Sequence, residues 1–377
     1  MVLSHPFHCP TRVVQGQEFA STVSAILDGR TYLLVTSGGW RARGAVDRLG
    51  DRCGAPAAMI SGIVTNPRLG PVMSLARGVP NIEAVVALGG GSVLDSTKAI
   101  AALASTGEAS FIEHLREGAP LADAADFPPI IAVPTTSGTG SEVTRWGTIW
   151  GDDGAKHSVT DPRLYPSHAV LDSQLCVSMP TSLTLTTGLD ALSHAMEAIW
   201  NKRHGSITDA LSSHAIGLLR SNLARAMESP EDLAARDAVQ TAAVLAGFAM
   251  GTTQTALAHS ISYPFTSIFD VPHGLACSFT LAECARYNGA KYPERLQPIA
   301  GGFGCRVGDL PQAIIEWFVE LGVPSALAEY VGPDTAGLLG GELINPVRAA
   351  NNIRDADDAA ARRIVEAAFE SLTPRDG

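Results

Sequence analysis

The chain has 377 residues, 46% of them hydrophobic and 17% charged, enough for two domains with real cores and without any low-complexity tract. A formal charge of −11 with no block of Lys and Arg excludes a nucleic-acid-binding surface, so any anionic ligand has to be met by local cations. Six cysteines (Cys9, Cys53, Cys176, Cys277, Cys284 and Cys305) form no C-x-x-C pair and no framework spacing, the pattern of reduced thiols in a cytoplasmic protein.

The N-terminus, MVLSHPFHCPTRVV, lacks a basic region followed by an apolar core, so no signal peptide is expected. Strand-like runs follow at TYLLVTS (31–37), AAMISGIV (57–64), IEAVVALGG (82–90) and PIIAVPTT (129–136), each apolar and closed by turn residues. Between them RARGAVDRLGDRC (41–53), PVMSLARGV (71–79) and SVLDSTKAIAALAS (92–105) carry helical spacing. This alternation predicts a parallel sheet flanked by helices. Beyond about residue 180 the segments LTLTTGLDALSHAMEAIW, SITDALSSHAIGLLRSNLARAM, LAARDAVQTAAVLAGFAMG, PQAIIEWFVELG and DAAARRIVEAAFESL all read as helices. We therefore expect an α/β domain over 1–179 and an all-helical domain over 180–377, meeting near VSMPTSLTL, where Pro180 leads into a helix start. The run AAVLAGFAMGTTQTALAHSI (242–261) has about the length of a membrane span, but the Thr, Gln and His in its second half make it a buried core helix.

Two loops point to a dinucleotide. In AVVALGGGSVLDSTKAIA (84–101), Gly89, Gly90, Gly91 and Ser92 stand between a strand and a helix, where glycines admit close approach of a ligand and free N–H groups favour an anion. The spacing is neither G-x-G-x-x-G nor a P-loop. PTTSGTGSE (134–142) repeats the arrangement after the next apolar strand, offering Thr135, Thr136 and Ser141, so a dinucleotide can lie across neighbouring strand ends. Asp95 in the helix after the first loop and Thr144 just beyond the second complete the candidate set. At the end of the first strand Ser37, Gly38 and Gly39 stand where an NAD-selective site presents a carboxylate, and Arg41 or Arg43 can pair with a 2′-phosphate. NADP(H) is favoured over NAD(H).

GLDALSHAMEAIW (188–200) carries an apolar stripe of Leu189, Leu192, Met196, Ile199 and Trp200, yet Asp190 and His194 sit within it four residues apart on one helical face. Burying both costs several kcal/mol, on the order of 2–7, unless something satisfies them. His259, at the end of an apolar helix, and His273, in Pro-His-Gly after a loop, are similarly embedded. One divalent cation shared by the four side chains satisfies them all, and three imidazoles with one carboxylate suit Fe²⁺ or Zn²⁺. His5, His8, His114, His168, His204 and His214 lie in polar or terminal settings and are left out, and His157 is not a first choice.

Taken together, GGGSVLDSTKAIA, PTTSGTGSEVT, AVLDSQL, MPTSLTLTTGLDALSHAMEA, the His259 and Pro272-His273-Gly274 segments and NPVRAANNIRDADDAAARRIVEAAF make the chain resemble the iron-containing (group III) alcohol dehydrogenases over nearly its whole length. The resemblance implies Asp190, His194, His259 and His273 as metal ligands and Gly90, Gly91, Ser92, Thr135, Thr136 and Ser141 near the cofactor. It also implies a Rossmann-like α/β domain, a helical metal-binding domain with the active site in the cleft between them, and a homo-oligomer. Many members carry a further histidine four positions after the third ligand, often given a proton-transfer role. Here that position is Tyr263, whose phenol holds its proton to higher pH than an imidazole does. Arg145 and Trp146 occupy positions that, by resemblance, approach the substrate pocket, and with AHSISYP they look most like the phosphonoacetaldehyde reductases of phosphonate biosynthesis. A phosphonate dianion needs a cation, and Arg145, Lys156, His157, Lys202 or Arg203 can supply it. The implied activity is reduction of phosphonoacetaldehyde to 2-hydroxyethylphosphonate by NADPH, with another small aldehyde, a glycerol-dehydrogenase-like polyol reaction or a non-catalytic nucleotide sensor as alternatives.

Overall fold

Strands bury both faces when helices cover a parallel sheet, and their sequences then read as continuous apolar runs. The computed structural model, which describes residues 6–80, 82–123, 127–151, 156–340 and 343–372, follows that rule. The strands are β1 (Arg12–Gln15), β2 (Tyr32–Thr36), β3 (Ala58–Ile60), β4 (Ala84–Gly89), β5 (Ile130–Pro134), β6 (Trp146–Trp150), β7 (Lys156–Thr160) and β8 (His168–Leu171). Six form one parallel sheet in the order β1-β8-β5-β4-β2-β3, while β6 and β7 form an antiparallel pair. Alternate residues enter opposite cores: Leu33, Val35, Val85, Ala87, Ile130 and Ala132 on one face, Tyr32, Leu34, Val86, Leu88, Ile131 and Val133 on the other. The register sets Val85 against both Leu33 and Ile130, and Gly89 against Pro134, so the β4 and β5 ends lie level.

All four predicted strand runs are strands. The strands not predicted are the edge strand β1, largely exposed, the half-buried pair β6–β7, and β8, whose short apolar run is buried between β1 and β5. The predicted helix over 41–53 is two, Gly38–Ala42 and Ala45–Cys53, with Arg43 and Gly44 between them.

By its internal contacts the chain divides into an α/β unit of Cys9–Thr136 and Gly140–Cys176, and a helical unit of Val177–Gly377 with Ser137–Thr139 and the residues up to His8. In the helical unit the long helices Thr181–Ile199, Ser206–Glu228 and Leu233–Thr253 pack together. The predicted stripe of Leu189, Leu192, Met196, Ile199 and Trp200 is wholly buried in their core. Each such side chain contributes about 1.5–3 kcal/mol by leaving water.

The run 242–261 is not one helix. It breaks after Thr253, where Gln254 takes a φ of 66°, and a new helix spans Leu257–Phe269. Buried amides accept the break: Asn201 Nδ2 donates to the Gln254 carbonyl (3.1 Å) and Asn351 Nδ2 to the Thr255 carbonyl (2.9 Å). The polar residues of the second half therefore mark a change of direction that starts a new helix two residues before His259. Among the described residues no helix is long and apolar enough to cross a membrane.

Candidate metal centre and cofactor loops

The four side chains singled out from the sequence all belong to the helical unit. Helix Thr181–Ile199 carries Asp190 and His194, helix Leu257–Phe269 carries His259 on its first turn, and His273 opens the short helix His273–Ser278. This short helix lies so close to the first that a Cβ on Gly274 would overlap the Thr186 carbonyl oxygen and reach Asp190 Cβ at 3.1 Å. Only glycine permits that approach, and it brings His273 beside Asp190.

Three imidazoles surround one carboxylate oxygen. Nε2 of His194, His259 and His273 lie 3.7, 3.6 and 4.0 Å from Asp190 Oδ1. The His194 and His259 rings stack at 4.8 Å, and His273 meets His259 edge-on at 5.4 Å. These distances are too long for hydrogen bonds. Ligands about 2.0–2.2 Å from a shared tetrahedral ion lie roughly 3.3–3.6 Å apart, so the side chains stand close to the spacing an ion requires. His259 Nε2 is buried and has no hydrogen-bond partner among the described residues, an orphaned donor atom aimed at the common point. Its cost, about 1–3 kcal/mol if nothing met it, marks a group built to be met. A divalent ion fits this set.

The electrostatics agree. Burial pushes the Asp190 carboxyl up, but the facing imidazoles, His194 foremost, outweigh it and hold it well below the usual carboxylate range. Burial opposes a charge on His259 too, yet the Cys277 sulfur and the Glu197 carboxylate raise it well above the ordinary imidazole value. The pocket thus has a negative field that favours a cation.

Two neighbours escaped the sequence reading. Glu197, fully buried, takes the Nδ1 side of His259 at 2.7 Å and accepts the backbone N–H groups of Ala256 (2.8 Å), Ala258 (2.6 Å) and His259 (3.2 Å). It fixes the His259 ring so that Nε2 faces Asp190, the role a carboxylate plays behind a metal-bound histidine. Its signal was its place seven residues after Asp190, on the same face of an apolar helix. Cys277, also fully buried, directs its thiol to Asp190 Oδ1 at 3.5 Å.

In the α/β unit the two glycine loops are neighbours. Gly89 ends β4, its carbonyl accepts the Thr135 N–H (3.1 Å), and a Cβ on Gly90 would meet the Thr136 side chain at 3.1 Å. Gly89, Gly90, Gly91, Ser92, Thr135 and Thr136 therefore share one end of the sheet. Ser37, Gly38 and Gly39 follow β2, the strand beside β4, and the latter two are exposed. Arg43 lies over the Trp40 ring at 5.2 Å and Arg41 is exposed.

Asp95 and Ser141 are engaged within the protein. Asp95 Oδ1 accepts from Ser141 Oγ (2.6 Å) and Oδ2 from the Thr148 N–H (2.9 Å). Lys98, wholly buried, donates to the Ser141 carbonyl (2.7 Å), Ser141 Oγ (2.8 Å) and the Trp146 carbonyl (2.6 Å). Glu142 is buried beside them, and Thr144 is buried as well. Burial lowers Lys98 to about 8 against the pull of Asp95, and raises Glu142 to about 7.

Among the remaining candidates, Tyr263 lies half-buried one turn after His259. Arg145 stacks over Trp146 at 5.3 Å, forms no ion pair among the described residues, and has a buried Nε without a hydrogen-bond partner. Lys202 by contrast is paired with Asp355 at 2.6 Å, and His157 Nδ1 lies 3.2 Å from the Leu115 carbonyl. His114 is not in a polar setting as expected: it is buried, with Nδ1 2.6 Å from the Ala119 carbonyl and Nε2 accepting from the Thr160 N–H (3.1 Å). Both its nitrogens are satisfied, which makes it a core histidine.

Residues 10–173 match the profile of the iron-containing alcohol dehydrogenases, and residues 184–338 that of the Fe-containing alcohol dehydrogenase family, C-terminal. A choline dehydrogenase from Bacillus subtilis (strain 168) is 31% identical over 400 residues, covering 98% of this chain and 96% of that protein. A phosphonoacetaldehyde reductase from Streptomyces viridochromogenes is 39% identical over 226 residues, covering 58% of this chain and 57% of that protein. The crystal structure of sulfoacetaldehyde reductase from Bifidobacterium kashiwanohense in complex with NAD+ has a TM-score of 0.87 at 28% identity, covering 98% of this chain and 99% of that one. Profiles over both parts of the chain, and a relative matched along almost its full length, lead to one conclusion: the chain belongs to the iron-containing alcohol dehydrogenase family.

Proposed function

We propose that this protein is a metal-dependent reductase of small aldehydes, with NADPH preferred to NADH and phosphonoacetaldehyde, reduced to 2-hydroxyethylphosphonate, as its substrate. The observation that carries the reading is the buried, unpaired Nε2 of His259, facing the same Asp190 oxygen as His194 and His273. When bound, Fe²⁺ or Zn²⁺ supplies Lewis-acid polarisation of a carbonyl oxygen and the nicotinamide supplies hydride.

The chain's own residues do the rest. Asp190 carries the negative charge that offsets the cation, and Glu197 keeps the His259 ring in the orientation that presents Nε2. The His273 side chain is 35% exposed while Asp190, His194 and His259 are 7% or less, so the pocket opens on the His273 side. Tyr263 is the proposed proton donor, or the group that orders a water for that purpose. Arg145, whose buried Nε has no hydrogen-bond partner among the described residues, is the cation proposed to hold the phosphonate. The dinucleotide is proposed to use Gly89 to Ser92, Thr135 and Thr136, with Asp95, Ser141 and Thr144 behind them. NADPH is favoured because no carboxylate follows β2 to repel a 2′-phosphate, and Arg41 is free of ion pairs among the described residues.

The test is oxidation of NADPH and of NADH, followed at the nicotinamide band, with phosphonoacetaldehyde, sulfoacetaldehyde, acetaldehyde and a longer aldehyde in parallel. A charged hydrogen-bonded partner is worth about 1.5–3 kcal/mol, so kcat/KM for phosphonoacetaldehyde should exceed that for acetaldehyde by roughly tenfold to a hundredfold. The Arg145→Ala variant should remove that advantage. Preference for the uncharged aldehydes would remove the phosphonate and leave the reductase, equal use of sulfoacetaldehyde would make the pocket a general anion reader, and no turnover of any aldehyde would remove the whole proposal.

A further inference from the structure

The thiol of Cys277 stands where four imidazole and carboxylate groups already converge. One donor atom each from Asp190, His259, His273 and Cys277 lies within 4.8 Å of all the others. Cys277 is fully buried, one helical turn after His273 on the short helix His273–Ser278, so the two side chains share a face. Its single S–H is offered to Asp190 Oδ1 and to the Gly274 carbonyl, both at 3.5 Å, and neither bond is short. Ser193 Oγ reaches the Cys277 carbonyl at 3.2 Å, which helps to hold this helix against helix Thr181–Ile199. The neighbouring His259 Nε2, buried and unpartnered, is a second and independent sign that a ligand is expected at this point. The buried Cys284 makes a useful contrast, since its sulfur faces Thr280 Oγ1 at 3.9 Å and joins no group of candidate ligands among the described residues.

We propose that Cys277 Sγ is a fifth donor of this pocket, and that it turns a nitrogen–oxygen site into one that prefers thiophilic divalent ions. This rests on the metal centre proposed above. A carboxylate with imidazoles accepts Fe²⁺ and Zn²⁺ alike, whereas a soft sulfur ligand favours Zn²⁺, Co²⁺ and Cd²⁺. Sulfur binds as the thiolate, so the ion displaces the S–H proton to solvent, and the Asp190 oxygen that had faced that proton turns to the ion.

The experiment loads the metal-free full-length protein with Co²⁺ and records its absorption spectrum, beside the Cys277→Ser and Cys277→Ala variants. Sulfur coordination gives a near-ultraviolet sulfur-to-cobalt charge-transfer band, and the ligand-field bands in the visible report binding by the other residues. The wild type should show both. The variants should keep the visible bands and lose the charge-transfer band, and their Zn²⁺ affinity should fall at least about tenfold with Fe²⁺ affinity held within about threefold. Thermal unfolding of the metal-free forms checks that the two variants are folded, and either one suffices. Visible bands with no charge-transfer band in the wild type would overturn the role of Cys277 and leave the metal centre standing. Absence of any Co²⁺ binding, in a protein that unfolds cooperatively, would overturn both.

Discussion

Two places in this molecule bury charge, and they do it in opposite ways. In the α/β unit Asp95, Lys98 and Ser141 satisfy one another and the nearby backbone, and among the described residues none of their buried polar atoms lacks a partner. In the helical unit Asp190 and the three histidines point at a common place at 3.6 to 4.0 Å, and His259 Nε2 is left without a partner. In the sequence the open set stands out as polar residues embedded in apolar segments, whereas Asp95 and Ser141 are candidates only by their place beside the dinucleotide loops and Lys98 gives no signal. What separates a scaffold from a site is whether the polar atoms are already spent. A saturated cluster has nothing left to offer a ligand, whereas orphaned atoms that converge are tolerated because a ligand repays the desolvation.

The sharpest way to break this contrast is to remove a ligand from the open set. His273→Ala should lower kcat/KM by at least about a thousandfold and bring bound metal well below one equivalent, while NADPH binding stays within about threefold. Metal analysis and cofactor fluorescence titration read the two halves separately. Retained turnover in a metal-depleted His273→Ala protein would end the idea that these four residues are a metal site.

The saturated cluster should respond through stability. Lys98→Met leaves the buried Glu142 and the half-buried Asp95 without their cation, a change that destabilises by about 3–5 kcal/mol, visible as a lower denaturation midpoint with metal content unchanged. The cofactor loops should feel it as well. Lys98 ties the Ser141 and Trp146 backbone to the helix that begins at Gly91, so KM for NADPH should rise more than KM for the aldehyde. A variant as stable as the wild type would show that the cluster holds nothing in place.

A smaller effect is expected at the junction of the two behaviours, where Glu197 is a saturated residue serving an open site. Glu197→Gln keeps the shape but gives up the charge that orients His259. Residues in that supporting position are worth about 10–100-fold in metal affinity, to be measured by competition with a chromophoric chelator. An unchanged affinity would reduce Glu197 to a helix brace.

Much of this was legible before the fold was seen. The central strands are apolar because both their faces are covered, and Asp190 with His194 stands out because a four-residue step stays on one helical face. The parts that were not legible depend on what a neighbour covers. Asp95 and Lys98, three residues apart on one helix, have the spacing of a solvated pair, and it is the β6–β7 hairpin packed over that helix that buries Lys98 and leaves Asp95 half-buried. Cys277 lies on a six-residue helix, too short to show any periodicity. His114 looked polar because Glu113 and Arg116 flank it, while its own side chain turns inward to the Ala119 carbonyl. The break at Gln254 was hidden because its carbonyl partner, Asn201, is 53 positions away.

The finest discrimination comes from pH. Burial raises Glu142 to about 7 from an unfolded value of 4.5, so between those two pH values the folded state binds more protons than the unfolded state and stability must fall as pH rises. Burial lowers Lys98 to about 8 from 10.5, so between those values the unfolded state binds more protons and stability rises again. Together they place a minimum between about pH 7 and 8 in the stability contributed by this cluster. Glu142→Gln removes the acidic limb, and the difference between wild type and variant should shrink by about 2 kcal/mol from pH 5 to pH 7 in denaturant titrations. Carboxylates held below their usual range, such as Asp209 and Asp232, change protonation only in more acidic solution and leave that window untouched. A difference that is flat across the window would mean that Glu142 is already charged in the folded state, and that Lys98 balances both carboxylates at once.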